Sequence, residues 1–148
     1  MASDVRLIAQ SFDAGAELAA FTEAAAEAGG IASFLGQVRS GGGVEVLELR
    51  HYEPLTLPGM RDLAAAAERR WPLLGLLMIH RVGVMLPGDP IVLVAAAARH
   101  RRDAFAAAEF AMDHLKSESW FWKREKAGGV WSWIEPREVD FEDKRRWA

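Results

Sequence analysis

The longest uninterrupted apolar run in the chain covers residues 91–98, eight positions in all. A helix that crosses a bilayer needs about twenty, so no membrane span is expected. The run has no polar alternation, and residues 91–97 read as a strand buried on both faces. Pro87-Gly88-Asp89-Pro90 precedes it, a turn in which proline presets φ and glycine tolerates positive φ. Arg99-His100-Arg101-Arg102 follows it.

Short strands and helices alternate around this run, with Gly and Pro at the joints. Residues 5–9 read as a first strand. Asp13 is the expected N-cap of a helix whose apolar positions Leu18, Phe21, Ala25 and Ala28 recur at helical spacing until Gly29-Gly30 stops it. Residues 31–39 and 44–52 are strand-like and flank Gly41-Gly42-Gly43, which suggests a hairpin. Residues 60–71 read as a helix barred from continuing by Pro72, and residues 76–84 as a strand. Residues 103–116 form a helix with Phe105, Ala108, Met112 and Leu115 on one stripe. Residues 120–126 and 130–134 flank Gly128-Gly129 as a second hairpin. The fold class expected is α+β, with three helices. At 148 residues one domain is expected, over residues 1–135. Residues 136–148 are charged and read as a tail that orders only on something else.

Composition excludes several functions. The chain has no Cys, which removes thiol nucleophiles, thiolate-bound metals and disulfides. The net charge of −3 supplies no global field for nucleic acid. The first residues lack a basic segment followed by a long apolar one, so no signal peptide is expected, and the setting expected is the cytoplasm. No P-loop, dinucleotide fingerprint or serine-hydrolase elbow is present. His51, His80 and His114 lack a metal-ligand spacing, so neither a metal nor a cofactor is assigned.

Two clusters could carry chemistry. Arg99 to Arg102, with His100 among them, lies between a buried strand and a helix N-terminus, where unpaired N–H groups favour phosphate or carboxylate. The same stretch also reads as a solvated basic turn. Only four of the eighteen basic residues are lysines, and Lys116 and Lys123 bracket Trp120-Phe121-Trp122. Two converging ammonium groups near aromatic rings depress each other's pKa, which suits proton transfer or amine nucleophilicity. Lys116 alone also reads as a cation at a helix C-terminus. Arg39, just before the glycine turn, is either a second anion clamp or a surface residue.

These residues fall in an ordered series of stretches: Phe34-Leu35-Gly36-Gln37-Val38-Arg39, Arg70-Trp71-Pro72, Ile79-His80-Arg81-Val82-Gly83, Pro87-Gly88-Asp89, His100-Arg101 with Ala104-Phe105, Met112-Asp113 with Leu115-Lys116, and Phe121-Trp122-Lys123-Arg124-Glu125. In that order and spacing, over nearly the whole chain, the sequence resembles the large, catalytic subunit of molybdopterin synthase. The resemblance implies an α/β-hammerhead-like domain with an added antiparallel β subdomain. It implies sulfur transfer that builds the dithiolene of molybdopterin from cyclic pyranopterin monophosphate. The donor would be the C-terminal Gly-Gly thiocarboxylate of a small ubiquitin-like subunit, with two such subunits on a central homodimer to make a heterotetramer. It implies that Lys116 and Lys123 are catalytic, and that Arg39, His100 and Arg101 bind substrate. Gln37, Val38, Arg124 and Glu125 fall in matching substrate-contact stretches. The chain departs from the family at Trp120, where Pro is usual, at Arg99, where a small residue is usual, in a short Gly41–Gly43 turn, and in an apparent insertion over residues 53–57.

The last residues are Arg146-Trp147-Ala148 rather than Gly-Gly, and no Cys can hold a persulfide, so the sulfur is expected to arrive in trans. The competing reading is a non-catalytic dimeric module that grips an acidic peptide tail or a phosphorylated ligand. In it the lysines serve affinity alone and tolerate arginine.

Overall fold

In the computed structural model, residues 3–117, 120–135 and 137–148 are described. They form two four-stranded sheets and four helices. The first sheet has the order β1 (Asp4–Ile8), β4 (Leu73–Arg81), β6 (Pro90–Ala98), β2 (Gly30–Gln37). Its β1–β4 pair is parallel and the others are antiparallel. The second has the order β5 (Gly83–Met85), β3 (Val44–His51), β7 (Phe121–Ala127), β8 (Val130–Ile134), all antiparallel.

Strand β6 lies inside the first sheet and is buried on both faces from Val92 onward, as its unbroken apolar run implies. Leu93 and Ala95, with Leu77 and Ile79 of β4, face α1 (Ala14–Ala24) through Leu18 and Phe21. Val92, Val94, Ala96 and Ala98, with Leu76 and Met78, face α2 (Glu53–Arg70) and α3 (Arg101–Ser117). Small side chains on β6 let α3 come close, where Ala104, Ala107 and Ala111 meet it, also without bulk. The second sheet has a smaller core of Val38, Leu47, Leu49 and Met85.

The structure departs from the sequence reading in four places. β2 and β3 do not form a hairpin. β2 pairs with β6 and β3 pairs with β5 and β7, so the glycine turn carries the chain from one sheet to the other. The strand expected over residues 76–84 breaks at Val82 into β4 and β5, again between sheets, with Gly83 at φ +95°. Helix α2 starts at Glu53, so the apparent insertion forms its first turns.

Finally, the tail contains α4 (Glu138–Arg145), and the C-terminal segment docks on α3. Asp113 accepts hydrogen bonds from Arg146 and from the Trp147 indole at 2.8 and 2.6 Å. Arg70 donates to the Trp147 carbonyl at 2.9 Å and lies over the rings of Trp71, Phe110 and Trp147. The β7–β8 hairpin matches its expectation.

Candidate active site

Helix α3 runs from the edge of the buried sheet to the second sheet, and its last turn carries Lys116. The chain returns in β7, where Lys123 pairs with Leu49 of β3 and Ile134 of β8. Alternation along the strand puts Phe121, Lys123 and Glu125 on one face. Lys123 Nζ is 3.8 Å from Glu125 Oε1. The Lys116 ammonium is held below the ordinary lysine value, chiefly by desolvation and next by the charge of Lys123. Arg137 and Arg39 push the same way, and Asp140 opposes them. The Lys116 residue as a whole is exposed, so the desolvation acts on a side chain that still reaches water.

Below this cluster lies His80 of β4. It is 7% exposed and stacks on Phe121, with ring centroids 3.9 Å apart and planes at 14°. Burial lowers its pKa to about 4, and the nearby Lys116 charge adds to that. His80 Nδ1 is 2.9 Å from the Arg81 carbonyl. A carbonyl only accepts, so Nδ1 carries the proton of the neutral ring and Nε2 does not.

Of the residues singled out in the sequence, Arg39, Lys116 and Lys123 come together. Glu125 joins them through Lys123. The others do not. Val38 is 4% exposed and its side chain fills the core of the second sheet, while its backbone pairs with Gly88 and Asp89. Gln37 is exposed at the end of β2, where the register with β6 shifts. Arg124 faces the opposite side of the second sheet from Lys123. There it pairs with Glu48 and lies over the Trp131 ring, 4.2 Å from its centroid.

His100 and Arg101 are exposed at the other end of α3. Fifteen helical steps separate Arg101 from Lys116, roughly 22 Å at 1.5 Å each. Within one chain the basic pair and the lysines are therefore two sites. The basic turn is seated on Gly29, whose N–H donates to Ala98; a β-carbon there would fall 2.0 Å from the Arg99 carbonyl oxygen.

Sequence reasoning considered His80 only as a metal ligand and gave it no other role, and it missed Arg137 and Asp140. His80 is a lone imidazole that directly follows the apolar run from Leu73 to Ile79, and that contrast is a signal. Arg137 and Asp140 lie in the segment read as a tail. There the Arg137 N–H donates to Asp140 at 3.2 Å and the two side chains pair at the start of α4.

A cleft of about 280 Å³ between β1, α1 and β4 lies on the far face of the first sheet. Its one cation, Arg6, is already held by Glu17 and Asp4. Among the described residues no three His, Asp or Glu side chains gather as a metal site would, and no helix is long and apolar enough to cross a membrane.

Comparison with known proteins bears on this arrangement. The family model described as MoaE protein matches residues 7–118. A molybdopterin synthase catalytic subunit of Mesorhizobium japonicum is 45% identical over 150 aligned positions, covering 99% of this chain and 94% of that one. The solved structure of a molybdopterin biosynthesis MoaE protein from Burkholderia ambifaria superposes with a TM-score of 0.83 at 41% identity, covering 99% of this chain and 98% of that one. The fold also matches a complex of subunits 1 and 2 of molybdopterin-converting factor from Helicobacter pylori, with a TM-score of 0.78 at 22% identity, covering 90% and 91%. A family model over most of the chain, together with relatives this similar along their whole length, puts the chain in the MoaE family, that of the molybdopterin synthase catalytic subunits.

Proposed function

We propose that the chain is the sulfur-transferring, catalytic half of a molybdopterin synthase. It converts cyclic pyranopterin monophosphate to molybdopterin, and the sulfur comes from the C-terminal thiocarboxylate of a small ubiquitin-like subunit. The observation that carries this reading is the meeting of Lys116 and Lys123 from different elements, with the Lys116 ammonium held below its ordinary range.

The chemistry needs such a pair. When thiocarboxylate sulfur attacks the pterin side chain, the displaced oxygen must receive a proton, and negative charge develops on the way. A lysine held near its ordinary pKa keeps its proton too tightly to exchange it at neutral pH, whereas a lowered one gives and regains it. Lys123 adds positive charge where the negative charge grows, and Arg39 offers a guanidinium to the phosphate.

His100 and Arg101 enter through a second chain. Since α3 holds them roughly 22 Å from their own Lys116, a homodimer in which each copy lends its basic turn to the other's lysines supplies the complete set. In this arrangement one small subunit sits at each outer end of the dimer, as a heterotetramer in the cytoplasm. The two-subunit complex of the Helicobacter pylori relative supports the pairing with a second subunit.

The test is a single-turnover assay with thiocarboxylated small subunit and cyclic pyranopterin monophosphate. Wild type should form dithiolene, and Lys116→Ala should form none while still binding the small subunit. Lys116→Arg should not restore it, because arginine cannot exchange protons near neutral pH. Substantial product from either variant would remove the catalytic role and favour the binding module. Mixing Lys116→Ala with Arg101→Ala chains tests the dimer: each hybrid carries one intact site, so product should return. If it does not, the shared site is wrong.

A further inference from the structure

Trp120 is the last residue before β7. Its indole lies on Gly59 of α2. A β-carbon at position 59 would fall 2.5 Å from Cε2 and Cζ2 of that ring and 2.7 Å from Nε1, closer than atoms can pack, so the indole occupies space that only glycine leaves free. The Trp120 backbone is held by the same helix. Its carbonyl accepts the Tyr52 N–H at 3.1 Å, and the fully buried Thr56 hydroxyl is shared between that carbonyl, at 3.3 Å, and the Tyr52 carbonyl, at 2.9 Å. Tyr52 caps α2, and Thr56 lies in the turns built by residues 53–57. The first turns of α2 and Trp120 therefore hold each other.

The consequence falls on the lysines. Lys116 is fixed by α3, and Lys123 is three residues beyond Trp120. Phe121 between them is clamped on the other side by the His80 ring. Where α2 receives Trp120 decides where β7 begins.

We infer that Trp120 and Gly59 are a matched pair that sets the separation of Lys123 from Lys116, Trp120 being a positioning residue for the lysines and Gly59 its seat. This rests on the reading of the two lysines as the reacting groups.

A double-mutant cycle tests it, using full-length chains with the small subunit and working well below the melting temperature. Gly59→Ala should lower the single-turnover rate about ten- to hundredfold, as a misplacement of about 1 Å does, with small-subunit affinity and KM unchanged. It should also move the titration of the Lys116 side chain, read by NMR on lysine labelled at Cε, which a loss of stability alone would not move. In a Trp120→Phe background the smaller ring vacates the space over position 59. The double variant should therefore be faster and melt higher than Gly59→Ala alone. Additive effects, or a Gly59→Ala chain with wild-type rate and wild-type Lys116 titration, overturn the pairing. So does a Gly59→Ala chain that fails to fold and is not rescued by Trp120→Phe. Should Lys116→Ala retain activity, the catalytic reading fails alone, and the Lys116 titration in Gly59→Ala still decides whether the pair sets the geometry.

Discussion

Every residue of β6 from Val92 to Ala98 is buried, whereas every residue of β8 is exposed. The strands belong to two sheets of equal strand number that meet where Lys116 and Lys123 meet. The first sheet has helices on both faces, so alternate side chains of β4 and β6 are covered whichever face they point to. The second has one face on a small core. Its other face is open and carries Trp122, Trp133, Arg50 and Arg124. The difference shows a division of labour. One sheet supplies the free energy of folding, and the other supplies a surface on which cations and aromatic rings stay accessible. The lysines stand at the seam, anchored by the first and presented by the second.

The largest test of that division is truncation in the first sheet. Leu77 is 2% exposed and packs against α1 with Ile79 and Leu93. Leu77→Ala should lose about 2–5 kcal/mol, the range for a buried leucine whose site cannot collapse. Urea unfolding measures it. A loss below 1 kcal/mol would mean that the covered sheet is not where stability resides.

Acid should strike next, at the seam. His80 has a folded pKa of about 4 against an ordinary 6.5. Between those values the unfolded chain binds a proton that the folded chain does not, so stability rises with pH across the window. It is lost as pH falls from about 6.5 to about 4, amounting to roughly 3 kcal/mol in all. Unfolding of wild type and His80→Gln at pH 7 and pH 4.5 separates this from the carboxylates, which both chains share. Wild type should lose more stability than the variant between those conditions. Equal losses would show that the imidazole does not carry the acid sensitivity.

On the open face the same truncation should matter little. Trp133 is 57% exposed, and its partners are the Arg124 and Arg50 guanidinium groups at 5.6 and 6.0 Å from its ring. Exposed cation–π contacts contribute about 0.5–1 kcal/mol, so Trp133→Ala should cost no more than that, despite removing a larger side chain than Leu77→Ala. A loss that rivals Leu77→Ala would erase the contrast between the sheets.

The same contrast decides what could be read in advance. β6 was legible because a strand buried on both faces needs no polar alternation. The β7–β8 hairpin was legible because Gly128-Gly129 joins strands that are neighbours in space as well as in sequence. Gly41-Gly42-Gly43 gives an equally strong turn signal, yet it joins strands of different sheets. A turn dictates local geometry, and pairing partners such as β2 and β6 are chosen by the core. At the site, Arg39, Lys116 and Lys123 could be named from residue type and resemblance. The gap between Arg101 and Lys116 follows from helix length alone and could have been computed once α3 was assigned. Arg137 and Asp140 could not be found, since a polar segment carries no periodicity to say that it folds back beside a lysine.

The smallest effect has the opposite sign. The Lys116 charge is disfavoured in the folded chain by desolvation and by its cationic neighbours, Lys123 foremost. With the folded pKa below the unfolded one, the unfolded chain holds the proton more firmly. The charged lysine therefore opposes folding at every pH below its unfolded pKa, in full where both states are protonated. Lys116→Met keeps the stem and removes the charge. It should gain about 0.5 kcal/mol, a figure kept small because the side chain still reaches water, which corresponds to roughly 1–2 °C in melting temperature. It should also abolish dithiolene formation. A residue there only to cap a helix behaves otherwise: a cation that complements the dipole stabilises, and its loss lowers the melting temperature. The direction of the shift in Lys116→Met thus separates the two readings of Lys116. A gain means that the chain tolerates a strained charge at the seam because the reaction uses it, and a loss returns Lys116 to the helix end as an ordinary cap.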